Sequence, residues 1–172
     1  MAGAMDEFNL KLVQQIPKLR RYARALRGDM ASADDLVQDC MERAWSRSAM
    51  WRSNSNLRAW LFSIMHNLHV DQVRKQIRRP DELELDERIH STANNEQELS
   101  QSVTELDRGL ATLNQKQREV LLLVSLEGLS YEEVATVLSI PLGTVMSRLF
   151  RARERMRNWL DGENVPAIRR VK

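Results

Sequence analysis

The sequence predicts an all-α protein, two small helical domains joined by an acidic linker, and three observations carry that reading. Glycine and proline are scarce, 6 and 4 in 172 residues, while the good helix formers Leu, Ala, Arg, Glu and Gln abound. Apolar residues recur every three or four positions through most of the chain, the period of a helix with one face in a core. Charge is segregated: residues 65–80 carry a net +3 and residues 145–158 a net +4, whereas 81–107 hold nine acids against Arg88 alone, a net −8. The overall +2 therefore conceals two cationic segments with an acidic one between them, which points to a polyanion held at both ends. The expected divisions are 1–80, 81–100 and 101–172.

Each element has a local reason. Leu10, Val13 and Ile16 recur at helical spacing, and Pro17 suits the first position of a second helix ending near Gly28. Asp29 or Ser32 is placed to cap a third helix, in which Leu36, Val37, Cys40 and Ala44 share a face. Ser/Asn content makes 48–56 a loop. Leu57, Leu61, Ile64 and Leu68 line one side of a long helix, which Pro80 stops because the residue before a proline avoids helical angles. Residues 81–100 lack a sustained apolar stripe and read as a solvated linker. Val103, Leu106, Leu110 and Leu113 resume the helical period, and the run VLLLVSL at 120–126 is apolar enough to form the centre of a second core.

The stretch 129–157 is the most explicit. Ser130 and Glu133 make a capping box, and Leu129 and Val134 the hydrophobic staple that accompanies one. A short helix then runs to about Leu138 with Val134, Ala135 and Leu138 inward. Pro141 and Gly143 force a break, and Thr144 opens a further helix with Val145, Leu149 and Met156 on its buried side. Two helices about a tight turn are a helix-turn-helix, whose second helix fits the major groove of DNA. Thr144, Ser147 and Arg148, early on that helix, are placed for base edges; Arg151, Arg153 and Arg155 are placed for phosphates. A charge run is by default a solvated face, but here five arginines, one acid and the motif coincide.

Other functions find little support. No run of 18 apolar residues exists, so no membrane insertion is expected. The stretch MAGAMDEF has no apolar signal core, and a single cysteine, Cys40, suits a reducing compartment, so a cytoplasmic location is expected. His66 and His69 stand three apart with no third ligand near, so neither metal nor cofactor is expected. No convergent set of His, Cys and carboxylates suggests an enzyme.

Three segments, in order, resemble a known family. ATLNQKQREVLLLVSLEGLSYEEVATVLSIPLGTVMSRLFRARERMR, 111–157, is similar to region 4 of the ECF (extracytoplasmic function) sigma factors of bacterial RNA polymerase. ADDLVQDCMERAW, 33–45, resembles their region 2.2, and NLRAWLFSIMHNLHVDQVRKQIRR, 56–79, their regions 2.3 and 2.4. The resemblance implies a protein without catalysis of its own, whose partners are core RNA polymerase, promoter DNA and an anti-sigma factor. It implies that 1–80 binds the polymerase clamp and captures the melted −10 element, and that 101–172 reads the −35 element as duplex. It also implies that the acidic linker threads toward the polymerase active-site cleft; an ordinary soluble tether is the other reading.

On the region 2.2 helix, Asp35, Gln38, Asp39 and Glu42 form a polar stripe at i, i+3, i+4 and i+7, to which the resemblance assigns the polymerase contact. Strand capture requires a pocket for an unstacked base and cations along the backbone. The loop Arg52, Ser53, Asn54, Ser55 and Asn56 offers the first; His66, Asn67, Asp71, Arg74, Lys75 and Arg78 offer polar and cationic groups on the next helix. Trp60 is expected in the core, while Trp51 is balanced between packing and base stacking. Arg20, Arg21 and Arg24 face either DNA or solvent. Two binding alternatives stay open. A dimeric helix-turn-helix regulator explains only 101–160. A sigma-like decoy that sequesters an anti-sigma factor is favoured only where the cationic residues are lost.

Overall fold

A computed structural model describes residues 2–51, 55–78 and 99–163. Residues 81–98 of the expected linker, Arg52, Ser53 and Asn54, and the side chain of Val103 lie outside the described residues. Among the described residues every regular element is helical.

The first domain consists of α1 (Ala2–Arg27), α2 (Met30–Ser46), a 3-10 turn (Ser48–Met50) and α3 (Leu57–Arg78). The two helices expected on either side of Pro17 are one, because buried residues continue in register across the proline. Phe8 and Leu12 precede it, and Leu19, Tyr22, Ala23 and Leu26 follow, all packed in one core. That packing outweighs the single backbone hydrogen bond proline cannot make. The buried face also differs from the expected one: Leu10 and Val13 are 66% and 58% exposed. The aromatic anchors decide the orientation. Phe8 lies 5.2 Å from the Trp51 ring and 6.5 Å from Trp60, and Tyr22 meets Phe62 edge-on at 5.1 Å. Both tryptophans are half-buried against this cluster, so Trp51 packs.

Gly28 ends α1 at φ +81°, a left-handed conformation that glycine adopts freely. Asp29, not Ser32, caps α2, its carboxylate accepting from Ser32 N at 2.8 Å. Asn56 caps α3 by accepting from Ala59 N at 3.1 Å. Leu36, Val37, Cys40 and Ala44 of α2 meet Leu57, Leu61, Ile64 and Leu68 of α3, as the periodicity requires.

The second domain consists of α4 (Leu99–Ala111), α5 (Gln115–Leu121), which runs into a π-helical turn (Leu122–Leu126), α6 (Tyr131–Leu138) and α7 (Leu142–Glu163). α4 begins two residues inside the expected linker; Leu110 is buried and Leu113, just past its end, is too, whereas Leu106 is 54% exposed. α5 opens on a capping box between Asn114 and Gln117, and Val120, Leu122 and Leu123 occupy the core centre. The Ser130–Glu133 box opens α6, with bonds of 3.2 and 2.8 Å. The break before α7 arises at Ser139, which adopts φ +53°, and not at Gly143, which lies in the first turn of α7. α7 starts at Leu142, ahead of Thr144, because the Pro141 carbonyl accepts from Thr144 N at 2.9 Å and Val145 N at 3.2 Å.

The domains pack against each other: α3 lies on α6, and α1 touches the π-helical turn. No single helix among the described residues is long and apolar enough to cross a membrane.

Candidate nucleic-acid interface

α7 buries Val145, Leu149 and Ala152 and half-buries Met156, a face three and four residues apart. At about 100° per residue, the side chains within residues 142–151 that point most directly away from that face are Ser147, Phe150 and Arg151. All three are exposed, Phe150 by 68%. Thr144, Arg148 and Arg155 lie along one flank, with Thr144 and Arg148 half-buried; Arg153 and Met146 lie along the other, both exposed. The six residues expected at DNA are therefore divided between the outward face and its flanks, and Phe150, not among the expected residues, shares the outward face. Its signal was legible: an aromatic out of register with the buried positions, between Ser147 and Arg151 on an arginine-rich helix. A flat apolar side chain among hydrogen-bonding ones is what a groove floor with thymine methyl groups accommodates.

α3 carries a second exposed stripe. Asn67, Asp71, Arg74, Lys75 and Arg78 recur at three- and four-residue intervals and all face solvent. His66 and Asn56 part from them and turn toward the second domain. His66 Nδ1 stands 3.3 Å from Glu119 Oε2, and Asn56 donates its amide to Glu133. Arg20 pairs with Asp34 at 3.1 Å and Arg21 with Glu127, which leaves Arg24 as the exposed cation of that cluster for which no ion pair is described.

α2 presents Asp35, Gln38, Asp39 and Glu42 on the face opposite its core residues. Gln38 donates to Glu42 at 3.0 Å, and Asp39 accepts from Gln72 of α3 at 3.1 Å, so Asp39 also braces the helix pair. Trp45, 59% exposed and not among the expected residues, continues this face. A tryptophan left in water beside a polar rim is the side chain most often found anchoring a protein contact.

Two glutamates that a local reading takes for solvent residues are 3% and 4% exposed, Glu119 and Glu127. Arg21 donates Nε and Nη2 to Glu127, both at 3.1 Å, and its Nη2 also to the Leu126 carbonyl; Arg58 approaches Glu127 at 3.7 Å. That pairing raises the Arg21 pKa. Glu119 accepts from Gln115 Nε2 at 3.1 Å and faces His66 and His69, the latter at 3.7 Å. Burial alone would raise the Glu119 pKa, but the two imidazoles and the Gln115 amide outweigh it and leave the group below the ordinary glutamate range. Burial pushes His69 down to about 4, so it is neutral at pH 7. The two histidines with metal-like spacing thus converge on a carboxylate, and among the described residues no group of three or more His, Cys, Asp or Glu is arranged to hold a metal ion.

Comparison with known proteins places this architecture. Residues 12–66 match the family described as the Sigma2 domain of PhyR, and residues 104–156 match Sigma-70, region 4. The ECF RNA polymerase sigma factor EcfG of Rhodopseudomonas palustris is 35% identical over 157 residues, covering 88% of this chain and 83% of that protein. The ECF RNA polymerase sigma-E factor of Escherichia coli K12 is 32% identical, covering 98% and 92%. Among solved structures, the sigma factor RpoE in complex with the anti-sigma factor NepR, from Bartonella quintana, superposes with a TM-score of 0.79 at 34% identity, over 90% of this chain and 97% of that one.

Proposed function

The chain belongs to the ECF RNA polymerase sigma factors, and on that premise we propose that its two domains divide one promoter between them. The second domain anchors on the −35 duplex through α7; the first captures the melted −10 strand through α3 and the loop before it. One observation carries this reading: each domain presents its own exposed cationic stripe on a helix, and the stripes differ in kind. On α7, Ser147, Phe150 and Arg151 face the groove floor, and Arg153 and Arg155 flank them at the height of the phosphates. On α3, Arg74, Lys75 and Arg78 follow a strand backbone, with Asn67 and Asp71 for base edges and Arg52, Ser53, Asn54 and Asn56 for the pocket. Unpairing costs a few kcal/mol, which these contacts must return. The protein works by binding alone, in the cytoplasm where polymerase is.

Asp35, Gln38, Asp39 and Glu42, anchored by Trp45, form the face offered to core polymerase. Charges at such a rim set association rate and salt dependence, and the tryptophan supplies most of the affinity. RpoE of B. quintana is held by the anti-sigma factor NepR; a partner of that class is proposed here too. The first domain's likeness to the Sigma2 domain of PhyR keeps one second reading in view, a decoy for such a partner. Transcription in vitro with core polymerase, combined with permanganate probing of unpaired thymines, decides between them. The sigma reading requires reactive thymines in the −10 element; a chain that binds an anti-sigma factor yet never opens a promoter is a decoy. Arg151→Ala is expected to relax base preference, and Arg153→Ala to weaken all sequences evenly and lower the salt slope by about one. Equal losses on all sequences for both would refute the division of roles.

A further inference from the structure

We propose that Gln72 and Arg27 are positioning residues for the polymerase contact: the Gln72 amide, oriented by the Arg27 guanidinium, holds the Asp39 carboxylate in the pose that core RNA polymerase meets. The proposal rests on the polymerase face assigned above and adds to it two residues that lie off that face.

The arrangement follows from where three apolar faces end. On α3, Leu61, Met65 and Leu68 are buried, and Gln72, four residues on, continues that register as a half-buried amide. On α1, Leu19 and Ala23 are buried, and Arg27 continues the register as a half-buried guanidinium, the last helical residue before the left-handed Gly28. On α2, Asp39 is exposed beside the wholly buried Cys40. Three helices thus bring a cation, an amide and a carboxylate to one edge of the first domain. Arg27 Nη2 donates to Gln72 Oε1, and Gln72 Nε2 donates to Asp39 Oδ2 at 3.1 Å. A guanidinium only donates and a carboxylate only accepts, so a single orientation of the amide satisfies both. Reversed, its NH2 would face the guanidinium and its oxygen the carboxylate.

Three features make this more than a brace between helices. The bond engages Oδ2 alone, so the other oxygen of this exposed carboxylate is available to a donor on the partner. Glu42, one turn along the same face, is held in the same manner: Gln38 donates to its Oε1 at 3.0 Å. Two carboxylates of the face are therefore each steadied by a glutamine amide. Arg27 itself stays behind the face, with its Nε buried and without a hydrogen-bond partner among the described residues. Burial lowers the Arg27 pKa, and Asp29 and Asp39 pull it back up. The cation acts on Asp39 through a neutral amide, which leaves the carboxylate its charge. A side chain fixed before encounter loses less entropy on binding, so a held Asp39 serves the contact better than a freely rotating one.

The test is titration of the full-length chain with core polymerase, followed by the anisotropy of a dye on N158C, at an exposed position of α7; Cys40, wholly buried, does not label. Q72M keeps the length of the side chain and removes both bonds. It is expected to weaken core binding about fivefold, while circular dichroism and binding of a single-stranded −10 oligonucleotide stay at the parental level. D39A is expected to weaken core binding about tenfold. Q72M in the D39A background is expected to cost nothing further, because no carboxylate is left to hold. Q72E keeps an acceptor for Arg27 but sets a carboxylate against Asp39, and is expected to weaken core binding at least as much as Q72M. Were the face to act through net charge alone, that added acid would tighten binding instead. Should Q72M lose helicity, Q72E decides by the same criterion. D39A that binds core as tightly as the parent overturns the polymerase face, and the positioning role falls with it. With D39A weakened, three results overturn the positioning role alone: Q72M at the parental affinity, a Q72M loss that persists in D39A, or tighter binding by Q72E.

Discussion

Acid should loosen this protein well above the pH at which carboxylates ordinarily protonate, and His69 is the reason. The residue is 5% exposed, and neither ring nitrogen has a hydrogen-bond partner. Burial is the main cause that holds its folded pKa down at about 4; the positive charge of Arg27 on α1 adds to it, Glu119 on α5 opposes it, and His66 and Arg118 add smaller pushes. The unfolded chain takes up this proton near pH 6.5, and the folded one resists until about pH 4. Between those values the unfolded state binds more protons, so the contribution is complete above pH 6.5 and is lost as pH falls toward 4. A gap of about 2.5 units is worth roughly 3 kcal/mol in full, and about 2 kcal/mol is already lost by pH 5. Glu119, whose folded pKa is lowered, adds a further loss in the same direction below its usual range. Urea unfolding of the parent and of His69→Gln at pH 7.5, 6, 5 and 4.5 measures the effect. The parent should lose about 2 kcal/mol more than the variant between pH 7.5 and 5. Parallel curves would show that His69 is hydrated in the folded chain, and the reasoning from burial would fail.

Other perturbations test the packing of the second domain. Gly109→Ala sets helix propensity against space: a Cβ would stand 2.9 Å from Met156 Cε and 2.9 Å from Trp159 Cε3. The propensity gain of up to about 1 kcal/mol loses to overpacking of about 1–3 kcal/mol, so thermal melts should show net destabilisation, reversed to a gain when Trp159→Leu makes room. Ser130→Ala removes one arm of the α6 capping box and should cost about 1 kcal/mol in urea unfolding; a null effect would mean Glu133 alone secures that helix end. Cys40 is buried, with burial raising its thiol pKa to about 12, so Ellman's reagent at pH 8 should react with it only at the rate of unfolding.

Much of what is decided within four residues was legible in the sequence, although the Asn114–Gln117 box and the left-handed Ser139 were not read. The Ser130–Glu133 box, the Asp29 cap and the end of α1 at Gly28 follow from side-chain oxygens or φ preferences acting on the adjacent backbone. What depends on distant chain was not. Pro17 reads as a helix start because local chemistry favours one, and only the core formed with α2 and α3 carries the helix through it. Leu10 and Val13 have the spacing of a buried stripe, as do Phe8 and Leu12 with Leu19, and periodicity alone does not rank the two. Of the candidate site, the cationic positions were legible by charge, but their division between the outward face of α7 and its flanks required the helix phase that Val145, Leu149 and Ala152 set. Glu119 and Glu127 were the hardest to read. Glu127 meets Arg21 across 106 residues of sequence, and no local pattern announces such a partner.

The contact between the domains is uneven. It engages Asn56, at the cap of α3, and His66 further along that helix, yet leaves Arg74, Lys75 and Arg78 in solvent, together with Ser147, Arg151, Arg153 and Arg155 on α7. The contact is also mixed in kind. One buried apolar cluster runs through both domains, and the pairs of Glu127 with Arg21 and Arg58, and of Glu119 with His66 and His69, lie beside it. Any buried Leu or Met exposed on parting the domains would cost about 1.5–3 kcal/mol, whereas a carboxylate and a guanidinium that regain water lose little. The cations that stay in solvent are therefore the ones free to meet a polyanion in the packed arrangement, because attraction to phosphates needs exposed charge and no particular base.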